Sequence, residues 1–195
     1  MTQLDLLDHP AEAPAETSRL FLATFLEDDA AADANHRAIG LRHGHALRGR
    51  TLGLKRLHVT LEFFGTYRRM PWGFVEQIVR ALDGFQFDAF DVAFDAAASF
   101  TDKPFNRPLV LLGEVGVETL KAFQHRLSAA LAEAGLCDGP YPDYRPHVTL
   151  LYDDRIVPPQ RVAPVTWRVR EFVLVQSVQG KTLHIPLARW RARGV

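Results

Sequence analysis

One short pattern occurs twice in this chain and limits what it can fold into more than any other feature. The first copy is Leu57-His58-Val59-Thr60-Leu61-Glu62-Phe63-Phe64-Gly65, and the second is Pro146-His147-Val148-Thr149-Leu150-Leu151-Tyr152. Both are rich in apolar and β-branched residues, as strands are. Successive side chains of a strand point to opposite faces. His58, Thr60 and Phe64 therefore share one face of the first copy, and Val59, Leu61 and Phe63 share the other. His147 and Thr149 likewise oppose Val148, Leu150 and Tyr152. Each copy presents an imidazole and a hydroxyl on one side and a hydrophobic strip on the other. Brought together, the two would line a cleft with two imidazoles and two hydroxyls.

The rest of the chain bounds the setting. At 195 residues, one domain with two small lobes is expected. Lys plus Arg equals Asp plus Glu at 23 each, so no global field favours nucleic acid. A single cysteine, Cys137, excludes an intrachain disulfide framework and fits a reducing compartment. The N-terminus lacks the basic start and apolar run of a secretory signal. No apolar stretch approaches the roughly 20 residues of a membrane span. A soluble, cytoplasmic monomer is the expectation.

Residues 1–18 read as a loosely held tail, rich in Ala, Glu, Asp and Pro, ahead of a single domain over 19–195. Residues 19–26 read as a strand and 28–43 as a helix opened by acidic residues. The glycines at 44, 49 and 53 mark 44–56 as a loop before the first His strand. A helix over 71–83 follows, with Pro71 near its first turn. Then come a long or bent strand over 85–100, a turn over 101–108, a strand over 109–115 and a helix over 117–134. Beyond the second His strand, 165–178 alternates as one run and 181–188 is the last strand. The two histidines lie 89 residues apart (147 − 58) in comparable contexts. The class expected is α+β, with two pseudo-symmetric lobes, antiparallel sheets and outer helices around a central cleft.

These residues resemble those of the two-histidine phosphoesterases. His58-Val59-Thr60-Leu61-Glu62-Phe63-Phe64-Gly65 is similar to the H-x-T-L-x-F-x-G of the 2′-5′ RNA ligase (LigT-like) branch, also described as RNA 2′,3′-cyclic phosphodiesterases. Pro146-His147-Val148-Thr149-Leu150 is similar to its P-H-x-T-L. The resemblance covers roughly residues 19–190 by element order. Where that branch often continues T-L-x-R, this chain has Tyr152. Arg145 or Arg107 is then a candidate to supply the missing charge.

The resemblance implies opening of a 2′,3′-cyclic phosphate to a 2′-phosphomonoester, with weak 2′-5′ ligation as the reverse. Water must lose a proton and the leaving ribose oxygen must gain one. Two imidazoles suit both tasks, because an unperturbed histidine titrates near ~6.5. By family likeness His58 is the acid and His147 the base; the residues alone leave that order open. Thr60 and Thr149 are placed to donate to phosphoryl oxygens, Arg145 and Tyr152 are possible substrate contacts, and Phe64 could stack a base. No cofactor or metal is implied, since no close three-ligand or H-E-x-x-H arrangement occurs, and His43 and His45 form only a loop pair.

Two stretches lack acids and could meet a phosphate backbone. One is 34–61, with Arg48, Arg50, Lys55 and Arg56; the other is 155–170, with Arg155, Arg161, Arg168 and Arg170. RNA ends or small cyclic nucleotides are the expected partners, and no membrane. Two other readings keep the same four residues: a phosphodiesterase acting on small nucleotides or on ADP-ribose cyclic phosphate, and an RNA-end binding module without turnover.

Overall fold

A computed structural model describes residues 17–194. In chain order it contains β1 (Ser18–Phe25), α1 (Asp28–Gly44), a 3₁₀ turn (Leu54–Arg56), β2 (His58–Tyr67), α2 (Trp72–Ala81) and β3 (Phe90–Ser99). These are followed by β4 (Arg107–Leu112), α3 (Glu118–Glu133), β5 (His147–Asp153), β6 (Gln160–Val169), β7 (Glu171–Val178) and β8 (Leu183–Arg191). The strands form one antiparallel sheet in the order β6-β3-β4-β5-β2-β1-β7-β8. Its two halves meet at β2 and β5, which share a single residue pair, Val59 opposite Val148. The expected α+β class holds, and the two lobes are the two four-stranded halves of this sheet.

The halves are not the two halves of the sequence. The half bearing His58 is β2-β1-β7-β8, and the half bearing His147 is β6-β3-β4-β5. The run at 165–178, read as one strand, is therefore two. β6 pairs with β3 at one edge, and β7 pairs with β1 in the other half. The chain crosses between them at Arg170, whose carbonyl accepts the amide of Ala192. Core-facing positions change from Val165, Trp167 and Val169 to Phe172 and Leu174 across the adjacent polar pair Arg170-Glu171, a shift of phase that reading the run as one strand passed over. The strand expected from residue 85 begins at Phe90, because Phe85 and Phe87 turn into the core instead. Residues 1–16 of the expected tail lie outside the described residues, and Ser18 already pairs within β1.

Alternation along β1 shows how the sheet divides its faces. Leu20 and Leu22 join the main core, while Phe21 and Ala23 join a separate small cluster with Val173 and Val175. The main core lies under the helices. α1 contributes Ala30, Ala34 and Ala38 at a spacing of four, so its backbone sits close to the sheet. α3 contributes Leu120, Phe123, Leu127 and Leu131. The opposite face carries the small cluster in one half and its counterpart Ala96, Ala98, Val110 and Leu112 in the other.

The stretch 155–170 is less available to a phosphate backbone than its charge implies. Arg161 pairs with Asp95 and Glu114, Arg168 with Asp91, and Arg170 with Glu27. Such exposed pairs are worth about 0–1 kcal/mol each, but they hold Arg161 and Arg168 beside β3 and Arg170 at the start of α1. Among the described residues no helix is long and apolar enough to cross a membrane.

Asp153, at the end of β5, fastens the loop after α1. Its Oδ2 accepts the amides of Arg48 at 2.5 Å and Gly49 at 2.7 Å, and its Oδ1 accepts that of Arg155 at 2.9 Å. Gly49 is pressed so closely that an added Cβ would lie 2.0 Å from the carbonyl oxygen of Tyr152. Gly49→Ala should therefore cost about 1–3 kcal/mol in urea unfolding. Gly53→Ala, with nothing within 4 Å of the new methyl, should stay within about 0.5 kcal/mol of the parent.

Candidate active site

The pairing of Val59 with Val148 decides the geometry of the site. In antiparallel strands that register sets His58 across from Thr149 and Thr60 across from His147. Directly opposed Cβ atoms lie about 4.5–5.5 Å apart, and diagonal neighbours such as the two histidines about 7–8 Å. Val59 and Val148 are fully buried on the core side, so all four polar side chains face away from it. The expectation that the two motifs meet in one place is met, and they meet as neighbouring strands.

Both strands bulge one residue past the threonine. Along β1 the partners run Ala23–Thr60, Leu22–Glu62 and Phe21–Phe63, leaving Leu61 without one. Along β4 they run Val110–Thr149 and Leu109–Leu151, leaving Leu150 without one. A bulge shifts the alternation by one residue. Leu61 and Glu62 are thus both buried, as are Leu150 and Leu151. Phe63 and Tyr152, read as core-facing, emerge at 49% and 40% exposure.

Phe64, read as a base-stacking candidate on the His58 face, is a correction of the same origin. It packs edge-on against Phe74 at 5.6 Å and onto the core, and Phe63 takes the cleft position. The carbonyls around the bulges find partners elsewhere. The Tyr144 hydroxyl donates to Thr60 O at 2.8 Å, Gln124 Nε2 to Leu61 O at 3.2 Å, and the Leu52 amide to Leu150 O at 2.8 Å.

The two imidazoles are oriented alike. His58 Nδ1 lies 2.6 Å from the carbonyl oxygen of Arg56, and His147 Nδ1 lies 2.9 Å from that of Arg145. A carbonyl only accepts, so each neutral ring carries its proton on Nδ1 and leaves an Nε2 lone pair free. Their surroundings differ. His58 stacks on Phe21 at 5.1 Å and 17°, with Phe25 tilted at 5.5 Å and His184 edge-on at 5.3 Å. His147 meets Phe100 edge-on at 4.9 Å, and the Arg145 guanidinium lies over the same ring at 5.2 Å. Burial drives His58 down to about 4, with the Arg56 carbonyl opposing and His184, His147 and Arg56 adding to the fall. Burial also lowers His147, aided by the charge of Arg145.

A cavity of about 630 Å³ opens beside His147 and Thr60, walled by Phe63, Phe100, Tyr141 and Arg145. Glu62 lies beneath it, 2% exposed, and accepts Ser128 Oγ at 2.9 Å. Burial raises its carboxyl above the usual range. Tyr152 is not in this cavity. It borders a separate pocket with Arg48, Asn106 and Arg155. Of the two candidate replacements for the family arginine, Arg145 stands in the cleft, whereas Arg107 Nη1 donates to the Asp154 carbonyl at 2.6 Å. Cys137 Sγ lies 3.4 Å from the Ser128 carbonyl. His45 lies 2.7 Å from Gln160, away from the cleft. Among the described residues no group of three or more His, Cys, Asp or Glu side chains could hold a metal ion.

Sequence reasoning missed Phe63, Tyr144, Glu62 and His184. A bulge has no signature in a motif so apolar, and His184 sits in β8, far from either copy in sequence.

Comparison with known proteins agrees with this geometry. The model of the 2′-5′ RNA ligase superfamily matches residues 26–181. The chain belongs to that superfamily. Among solved structures, one titled a phosphoesterase matches at 24% identity with a TM-score of 0.70, covering 91% of this chain and 99% of its own. E. coli LigT complexed with 3′-AMP matches at 24% identity and TM-score 0.68, with the same coverage. The protein TT0787 of Thermus thermophilus matches at 21% and 0.69, covering 90% of this chain and 98% of its own. No curated protein matches the sequence.

Two outcomes follow. A His58 driven to about 4 in the fold takes up its proton more readily when unfolded, so stability should fall as pH drops from about 6.5 towards 4. The urea midpoint should drop less in His58→Phe than in the parent between about pH 7 and pH 5. Tyr144→Phe removes a bond that ties the loop before one motif to the strand of the other. It should cost about 1 kcal/mol in stability and lower kcat more than it raises KM.

Proposed function

We propose that the protein is a metal-independent phosphodiesterase that opens the 2′,3′-cyclic phosphate at an RNA end to a 2′-phosphomonoester. The observation that carries this is the shared orientation of two imidazoles, each with Nδ1 held by the carbonyl two residues before it. In this reading the two Nε2 atoms act on one phosphorus bound between them. His147 Nε2 takes a proton from water as its oxygen attacks phosphorus. The bond from phosphorus to the 3′ oxygen breaks, and protonated His58 gives that oxygen its proton. Thr60 and Thr149 donate to the two non-bridging oxygens. With a 5′ hydroxyl in place of water, the same exchange opens the cyclic phosphate to a 2′-5′ diester: His147 takes the proton of the hydroxyl, the bond from phosphorus to the 3′ oxygen breaks, and His58 protonates that oxygen.

Burial disfavours the imidazolium that the acid needs, and a bound phosphodiester restores it. An anion within about 4–6 Å stabilises a cation and raises its proton affinity. Substrate charge is thus part of what arms the site. The wide cavity beside His147 has aromatic walls at Phe63, Phe100 and Tyr141, which suits a nucleoside. E. coli LigT has been solved with 3′-AMP and with ATP, which supports nucleotide recognition by this fold.

The decisive experiment presents a 2′,3′-cyclic-ended oligonucleotide and free cyclic mononucleotides, in chelator, and identifies products by mass and phosphatase sensitivity. Cleavage of the oligonucleotide is expected. Cleavage of mononucleotides alone would point instead to a small-nucleotide phosphodiesterase, and binding without product to an RNA-end module. His58→Ala and His147→Ala should each lower kcat by at least about 10²–10⁴-fold, with circular dichroism unchanged. The kcat/KM profile should be a bell whose centre lies below about 6.5, because both free imidazoles are depressed, and the kcat profile should sit at higher pH.

A further inference from the structure

His184 has no part in the chemistry above, yet its ring touches His58. It lies on β8, three places from β2 in the sheet. On a flat sheet that is about 14 Å, so the sheet curls to bring the two centroids to 5.3 Å. His184 meets every one of its ring neighbours edge-on: His58 at 77°, Phe21 at 80° and Phe25 at 64°. His58 is thereby enclosed by three rings. Among the described residues, its counterpart His147 meets one ring, Phe100.

The Nδ1 atom of His184 is buried and, among the described residues, has no hydrogen-bond partner. Such an atom is costly to bury, and a phenyl ring would pack the same space without it. Packing alone therefore does not account for an imidazole here. Arg56 faces His184 from the 3₁₀ turn, and Lys55, Asp28, Glu171 and Arg189 line the adjoining pocket of about 250 Å³. Burial, with Arg56 adding, holds His184 at about 4.

We propose that His184 is a positioning residue for His58: a neutral imidazole edge that, with Phe21 and Phe25, fixes the plane of the His58 ring and makes protonation of the two rings mutually exclusive. The inference rests on the phosphodiesterase reading for its effect on turnover. Its geometry is independent of substrate. Two imidazolium ions at this separation repel, so a proton on His184 withholds one from His58.

The test compares His184→Ala, His184→Phe and His58→Ala with the parent, using the cyclic-ended oligonucleotide and following the His58 ring by NMR titration. His184→Ala should lose about ten- to a hundredfold in kcat with KM within about twofold. His184→Phe restores the ring edge and should recover kcat. It also removes the competing proton site, so the His58 titration and the acid limb of kcat/KM should move to higher pH. Parent-like kcat and acid limb in His184→Ala would overturn the proposal. So would a His184→Phe protein in which the His58 titration does not move, or which is as slow as His184→Ala. If His58→Ala keeps its activity, the phosphodiesterase reading itself fails. If His58→Ala is inactive while His184→Ala is not, only the role of His184 fails.

Discussion

A single residue pair links the two halves of the sheet. Val59 opposite Val148 is the whole of the direct ladder between β2 and β5, and the site depends on it. One register places an imidazole across from a hydroxyl twice over. A slip by one residue would turn every histidine and threonine into the core and every valine out. The fully buried Val59 and Val148 therefore specify the site by making that slip too costly. The seam is narrow, so the halves are held mainly by what surrounds it. Leu52 donates to the Leu150 carbonyl, Tyr144 to that of Thr60, and Gln124 to that of Leu61.

The two motifs share a backbone and differ in their electrostatics. Bulge, tautomer and opposed threonine are duplicated. Around those common features His58 is boxed by aromatic rings, while His147 opens onto a wide cavity with a guanidinium nearby. Acid–base chemistry at one phosphorus needs two like groups that behave unlike at a given moment. Here the difference comes from the small apolar cluster on each half and from what closes over it.

Much of this was readable without coordinates. The strand character of both motifs, the shared face of each His and Thr, and the α+β class follow from alternation and composition. The face assignments held up to the threonine and then failed for Phe63, Phe64 and Tyr152. The failure has one cause. In a run such as Leu61-Glu62-Phe63-Phe64, an extra residue in the ladder leaves the composition unchanged, and only the partner strand reveals it. The basic stretch at 155–170 misled for a related reason, since the acids that neutralise it lie on β3 and at Glu27.

By itself the sequence determined that two His-Val-Thr-Leu strands exist and which of their side chains travel together, because a strand has period two whatever surrounds it. It also determined the family likeness, which resides in those same residues. Only the tertiary structure decided that the halves exchange strands at Arg170, that Phe63 rather than Phe64 reaches the cleft, and that His184 arrives at His58 from the third strand away. These are matters of pairing and curl. They are set by contacts between residues far apart in the chain, and no local pattern says which strand meets which.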